Sequence, residues 1–399
     1  MVTVEEAVKN VLGTTRSYGD ESVHINDCIG RVLAEDIYAD RPFPPFNRVT
    51  MDGIAINYDA YESGRRVFMI ESVGAAGQPR KELEILDNCI EIMTGASMPV
   101  NTDTVIRYED LEKVNGGFKI EAEIIRGKNV HLKGSDHKEN TLLIPKFSRI
   151  KSIDVNVLAS VGKEYIQVLN LPKVAVFSSG DELVEVNQVP AEHQIRKSNV
   201  FMLTSRLSEF GIKADHFHIK DDQNEIRQRL KQILDHYDVI LMSGGVSMGK
   251  FDFIPEVLLD LGVEKLFYKV AQRPGKPMWY GVNNNTRVFA FPGNPVSTLA
   301  CFHKYFIPWL YKVLKQEYNP LRVTLLNDVT FNPDLHYMAQ GRLESNREGK
   351  FFVHVQHGNG SGDMVSPTKV DGFVELPRGK SLFKAGEIFD FMQFHPVLQ

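Results

Sequence analysis

The side chains best suited to chemistry in this chain gather in a few short segments: Ser178-Ser-Gly-Asp-Glu182, Asp221-Asp222, Ser243-Gly-Gly-Val-Ser-Met-Gly-Lys-Phe-Asp252, Arg273-Pro-Gly-Lys-Pro277 and Phe291-Pro-Gly-Asn-Pro-Val-Ser297. Glycines such as Gly180, Gly244 and Gly245 have no Cβ, so the backbone N–H groups around them can come close to an anion. Hydroxyl and amide side chains at Ser179, Ser247, Asn294 and Ser297 add donors, and helix starts after Asp252 and Asn294 would add partial positive charge. Lys269, Arg273 and Lys276 supply full positive charges. Carboxylates beside a bound phosphate repel it unless a cation stands between them. Glu182, Asp221 and Asp252 therefore imply a hard, oxygen-ligated Mg²⁺ bridging carboxylate and phosphate.

Each residue also has a plainer reading. Asp222 and Asp252 have the type and position of helix N-caps, a role compatible with ligand binding. Ser-Gly-Gly after a strand is a common tight turn, and Lys269 reads equally as a solvated strand end. His216 and His218 are two apart, as on one face of a strand, and the twelve histidines show no metal-ligand spacing. Gly245-Val-Ser-Met-Gly249 matches a nucleophile elbow literally, but the next helix is expected only near Ile254, and no acid and His are placed to complete a triad with Ser247. No phosphate-binding loop of the Walker type is present. The phosphate reading rests on several successive loops of compatible chemistry.

These loops need elements to hold them. From Pro172 the pattern alternates: strand 173–177, helix 199–210 closed by Gly211, strand 212–219, a helix capped by Asp222 and Glu225, strand 238–242, helix 254–261, strand 263–270, strands near 278–282 and 288–291, and a long helix from Pro295. Such alternation predicts a doubly wound, mostly parallel sheet with helices on both faces, whose ligands lie beyond the carboxyl ends of the strands. Around it the texture is β-rich. Residues 22–162 read as short alternating segments broken by Gly, Asn and Pro, with Pro42-Phe-Pro-Pro-Phe46 as a stiff strap and hinge. Residues 321–399 read as a small β domain without helices of its own. At the start, Thr3 and Glu6 have capping-box spacing ahead of a helical stripe that ends at Gly13. The expected division is 1–42 with 141–171 as a linking domain, 43–140 as a β-rich domain, 172–318 as the α/β domain and 319–399 as the C-terminal β domain.

A chain of 399 residues can bury several cores. Its net charge of -5 argues against nucleic acid as a partner. Cys28, Cys89 and Cys301 are far apart and show neither a disulfide framework nor zinc spacing, which fits a reducing cytoplasm. No segment has the composition of a signal peptide or a membrane span.

With these residues in view, the sequence resembles the MoeA family of molybdopterin molybdenumtransferases, whose eukaryotic relatives include the E domain of gephyrin. The likeness runs through Met51-Asp-Gly53, Thr94-Gly95 with Pro99, Ser179-Gly-Asp-Glu-Leu183, Ser243-Gly-Gly-Val-Ser247 with Asp252, Pro274-Gly-Lys-Pro277 and Pro292-Gly-Asn-Pro-Val-Ser297. The resemblance implies a homodimer of four-domain subunits in which Asp52 and Thr94 reach the cleft of the other chain. It implies cleft carboxylates at Glu182, Asp221 and Asp252, a functional lysine at Lys269, and a molybdate pocket at Lys276, Ser297, Arg342 and Ser366. The chain departs from the family at Arg48, where the usual residue is neutral, and at Arg273, where it is lysine. A guanidinium is a planar fork and an ammonium a point charge, so the second change keeps charge but alters geometry. The segment after Arg342 also departs, reading Leu-Glu-Ser.

The activity so implied is insertion of molybdate into adenylylated molybdopterin with release of AMP, the last step of molybdenum cofactor biosynthesis. It would use Mg²⁺, with transient contact to the molybdopterin adenylyltransferase. The rival readings are that adenylyltransferase itself, which would resemble the α/β part alone, and a non-catalytic scaffold related to gephyrin.

Overall fold

The computed structural model describes residues 1–220, 222–245 and 253–395. Its contacts divide the chain into two units, one of Met1–Ser22, Gly30–Ala34 and Gln167–Gln399, the other of Val23–Ile29 and Glu35–Ile166.

The first unit opens with helix α1, Val4–Gly13, started by the expected capping box. The Glu6 amide donates to the Thr3 hydroxyl at 3.2 Å and the Thr3 amide to the Glu6 carboxylate at 2.8 Å. Its central sheet contains β1 (Val174–Ser179), β2 (Asp215–Ile219), β3 (Val239–Ser243), β4 (Glu264–Tyr268), β6 (Trp279–Val282) and β7 (Arg287–Phe291), in the order β2-β1-β3-β7-β6-β4. Pairing is parallel from β2 through β7, and β6 is antiparallel to both of its neighbours. Alternate residues of the strands feed opposite cores, as a period of two requires. Val174, Val176, Leu241 and Phe289 pack with α1 and with α2 (Asn199–Ser208). Ala175, Phe177, Ile240 and Met242 pack with α3 (Gln223–His236) and α4 (Ile254–Asp260). The sheet is therefore doubly wound, as the alternation predicts.

Several boundaries differ from expectation. Helix α2 ends at Ser208, and β2 starts only at Asp215. The long helix from Pro295 is three pieces: α5 (Pro295–Cys301), a π-helical turn over Phe302–Phe306, and α6 (Ile307–Val313).

The C-terminal β domain comprises β8 (Leu321–Leu325), β9 (His336–Ser345), β10 (Phe351–Val355), β11 (Gly372–Leu376) and β12 (Ile388–Gln393). The pairings β9-β10-β8-β12-β11-β9 close on themselves around Val323, Ala339, Val353, Val374 and Phe391. A two-residue strand, β5 (Gln272–Arg273), leaves the α/β chain to pair with β9, Gln272 opposite His336 and Arg273 opposite Tyr337. Against the expectation of a domain without helices of its own, the C-terminal domain carries a short 3₁₀ turn at Ser366–Lys369.

The second unit is β-rich, as expected. Strands Thr104–Arg107, Gly53–Ile56, Cys89–Ile92, Val67–Gly74, Gly117–Ile120 and Leu111–Val114 form one sheet in that order. It also carries helices Tyr58–Glu62 and Ser152–Ser160. The proline strap is tied to the chain near 137, the Phe43 amide donating to the His137 carbonyl at 2.7 Å.

Candidate active site

Two neighbouring cavities open at the carboxyl ends of β1, β3 and β7. The first, about 390 Å³, is lined by Ser179, Glu182, Lys197, Asn199, Gly244 and Asn294 among others. The second, about 410 Å³, lies between the α/β and C-terminal β domains and is lined by Arg273, Lys276, Asn294, Ser297, Gln340 and His357 among others. Asn294 borders both, and its Nδ2 donates to Ser361 Oγ at 2.8 Å, tying the β7–α5 loop to the C-terminal domain.

Gly244 and Gly293 bring backbone to the wall of the first cavity. Beyond the wall, Gly245, at φ +70°, passes so close to β1 and α4 that a Cβ there would lie 2.7 Å from Ser179 Oγ and 2.2 Å from Ile254 Cδ1. Only glycine fits. The Glu182 carboxylate is exposed and folds back over Gly180, where an added Cβ would collide with it. Burial and nearby Lys197 both lower the His218 pKa, and its Nδ1 lies 3.2 Å from Ser178 Oγ. His216 and His218 lie on β2, the strand-face reading. Lys197 is buried and ion-paired with Glu185 at 2.5 Å.

The second cavity is cationic. Arg273 and Lys276 both line it, and among the described residues neither is paired with a carboxylate. Ser297, in the first turn of α5, is buried and lines the same cavity. The α5 amide at Val296 donates to the Ser361 carbonyl at 3.1 Å, so this helix start spends that N–H inside the protein rather than offering it to an anion. Gly275, at φ +89°, would place a Cβ 2.4 Å from Cys301 Sγ and 2.8 Å from Gln272 Nε2. Gly275→Ala is therefore expected to destabilise this unit by about 2 kcal/mol through overpacking and left-handed strain. Adding Cys301→Ala should recover part of that loss in chemical denaturation, whereas strictly additive effects would show that the close approach is not the cause.

The remaining expected residues fall elsewhere. Lys269 lies just after β4 at φ +65°, with its ammonium 5.2 Å from the Tyr268 ring centroid, and lines neither cavity. Arg342 is exposed on β9 opposite His354 and is not part of the cavity wall. Ser366 opens the 3₁₀ turn, and its hydroxyl packs behind Gly358, which does line the second cavity. Asp222 is the N-cap of α3, its carboxylate accepting from the Glu225 amide at 2.8 Å. Asp221, Ser247 and Asp252 lie outside the described residues. Of the expected Mg²⁺ carboxylates, Glu182 alone is described.

Asp52 and Thr94 belong to the second unit and come together there. The Thr94 amide donates to the Asp52 carboxylate at 2.6 Å, and that bond, with the Thr94 hydroxyl, holds the carboxyl below its ordinary value. Arg48 is hydrogen-bonded to His131 Nδ1 at 3.3 Å, and His131 Nε2 lies 2.8 Å from Asp136.

Sequence reasoning misses Asn199, Lys197, Gln272, Gln340 and His357. Asn199 joins three elements, its Nδ2 donating to Ser243 Oγ at 2.8 Å, to the Gly293 carbonyl at 2.6 Å and to Thr298 Oγ1 at 3.3 Å. An Asn at a helix start reads as a cap, so nothing local distinguishes this role. Gln272 does leave a signal, as a lone amide after the apolar Val270-Ala271.

Three family models match in succession: the MoeA N-terminal region (domains I and II) over residues 2–162, a probable molybdopterin-binding domain over 175–312, and the MoeA C-terminal region (domain IV) over 322–394. The chain is 36% identical to a molybdopterin molybdenumtransferase of Synechocystis over 396 residues, 98% of this chain and 99% of that one. It is 30% identical to one of Staphylococcus epidermidis, covering 98% and 94%. The crystal structure of a molybdopterin biosynthesis MoeA protein from Pyrococcus horikoshii superposes with a TM-score of 0.86 at 29% identity, covering 99% of this chain and 100% of that one. With paired cavities at the strand ends and these relatives spanning its whole length, the chain belongs to the MoeA family.

Proposed function

We propose that this protein is a molybdenum insertase, placing molybdate into the dithiolene of adenylylated molybdopterin and releasing AMP. The observation that carries the reading is the meeting of two cavities at Asn294. One is lined by cations without a carboxylate partner among the described residues, the other by hydroxyls, glycine backbone and Glu182. A tetrahedral oxyanion suits the cationic cavity, where Lys276, Arg273 and the Ser297 hydroxyl would hold molybdate. A phosphate-bearing pterin suits its neighbour, held by Ser179 and Gly244. The shared wall brings dithiolene and oxyanion into contact, so positioning and charge neutralisation do most of the work. Water adds across the phosphoanhydride to free AMP, and the two dithiolene sulfurs bind molybdenum in place of an oxo ligand, which leaves as water with the two thiol protons.

Glu182, Asp221 and Asp252 are proposed as the residues that would offer Mg²⁺ the carboxylate oxygens it takes. When bound, the ion would neutralise pyrophosphate charge. Asp52 and Thr94, joined to each other in the second unit, are proposed to complete the cleft of the partner in a cytoplasmic homodimer that receives its substrate from the adenylyltransferase.

The test is AMP release by the purified protein given adenylylated molybdopterin and Mg²⁺, with and without molybdate. Molybdate-dependent AMP and a product that activates an apo-molybdoenzyme are expected. Glu182→Gln should slow AMP release about 100-fold while leaving the protein folded. AMP release that ignores molybdate, or ATP consumption in its place, would overturn the insertase reading.

A further inference from the structure

Gln272 is completely buried at the base of the cationic cavity, yet its amide is well used. Its Oε1 accepts from the Tyr305 hydroxyl, and its Nε2 donates to the Gly275 carbonyl at 3.1 Å and to Cys301 Sγ at 3.4 Å. Cys301 and Tyr305 are four residues apart on the helix that starts at Pro295, and Tyr305 lies in the π-helical turn. A π turn inserts one residue into a helix and rotates the residues beyond it; such turns often serve functional sites. Here the turn directs three consecutive residues to different anchors: the His303 ring packs 5.4 Å from that of Phe394, Lys304 pairs with Glu375 on β11, and Tyr305 reaches Gln272 on β5.

The geometry points to Gln272 as a positioning residue for the molybdate-binding loop, with Tyr305 as its anchor. The loop 273–277 carries Arg273 and Lys276, whose own side chains have no carboxylate partner among the described residues to fix them. The loop is held through its backbone instead. The Val270 amide donates to the Lys276 carbonyl at 2.9 Å, β5 is registered on β9, and the Gly275 carbonyl is gripped by Gln272. A Cβ on Gly275 would lie 2.8 Å from Gln272 Nε2 and 2.4 Å from Cys301 Sγ, so the loop rests closely on both the amide and the helix. The Gly275 carbonyl can only accept, so Nε2 must face it, and Tyr305 holds the other end of the amide, its hydroxyl donating to Oε1. Gln272 touches no reacting atom. It acts by deciding where the two cations stand, and so how well an oxyanion is held between them.

This inference rests on assigning molybdate to that cavity, and the experiment separates the two. In the full-length protein, Tyr305→Phe and Gln272→Leu are each expected to weaken molybdate binding, measured by calorimetry, about tenfold, the scale of one lost buried hydrogen bond. AMP binding, which probes the neighbouring cavity, should be unchanged, and hydrogen exchange of the Val270 amide, which donates to the Lys276 carbonyl, should accelerate. Tyr311→Phe, on the same helical run but away from Gln272, is the matched control and should behave as wild type. The positioning role is overturned if molybdate affinity and exchange at Val270 stay at wild-type values, or if molybdate and AMP binding fall together. If the wild-type protein binds no molybdate, the assignment of the cavity falls, and exchange at Val270 alone decides whether Gln272 positions the loop.

Discussion

Replacing Lys276 with alanine is expected to cut molybdate-dependent AMP release about 100-fold at low molybdate, with much of the loss recovered as molybdate rises. The ammonium lines the cavity between the α/β and C-terminal β domains and has no carboxylate partner among the described residues, so its charge is available to an incoming oxyanion. A charge-assisted hydrogen bond in such a site contributes about 2–3 kcal/mol, which is the source of the expected factor. Because no carboxylate among the described residues depends on this cation, its removal should leave folding stability within about 0.5 kcal/mol. Lys276→Arg keeps the charge but offers a fork in place of a point, and an intermediate rise in the molybdate concentration for half-maximal rate is expected. The measurement is AMP release against molybdate concentration at saturating pterin. A wild-type molybdate dependence in the alanine variant would remove the oxyanion from this cavity.

The second large effect concerns the joint between the two domains that build the cavity. Glu375 on β11 is nearly buried, pairs with Lys304 of the π turn and lies 3.4 Å from His336 on β9. Burial alone would raise its pKa, but His336 and Lys304 outweigh that and hold the carboxyl below its ordinary value of 4.5. Glu375→Gln would leave the half-buried Lys304 without its counter-charge, and breaking one side of a largely buried pair costs about 3 kcal/mol. The pH dependence comes from the sign of the shift. A carboxyl with a depressed folded pKa contributes stability in full above its unfolded value, and that contribution fades as pH falls below about 4.5 and through the folded value. The gap between wild type and variant in urea denaturation should therefore be wide at pH 7 and should close at strongly acidic pH. A gap independent of pH would mean that packing of the side chain, rather than its charge, holds the joint.

Much of the architecture is legible in local pattern. The capping box at Thr3 and Glu6, the Asp222 cap and the stripe Ile226, Leu230, Ile233 and Leu234 all appear where spacing places them, because caps and helical faces depend on residues three or four apart. The helix at Ser152–Ser160 escapes such a reading because it lacks that stripe. Ile153 is exposed and only Leu158 is buried, so its sequence carries almost no amphipathic signal. The π turn at Phe302–Phe306 is equally hidden. Its residues are apolar or packed on nearly every side, and no Pro or Gly within the turn announces a break.

Short-range features of the chain suffice for the family, the α/β alternation and the loops that hold the candidate chemistry, since glycines, caps and hydrophobic periods are set by local sterics and burial. Which of those residues share a cavity is settled only in three dimensions. Arg273, Lys276, Asn294 and Ser297 line one pocket while Lys269 and Arg342 do not, and residues distant in sequence, Gln272 with Tyr305 and Asn199 with Thr298, become partners. The first pair forms only where β5 meets the π turn of the helix after Pro295, and the second only where α2 meets α5. These long-range contacts leave little periodic trace in a single chain, because each is a single hydrogen bond between groups whose types are common and whose neighbours in sequence do not reveal the partner.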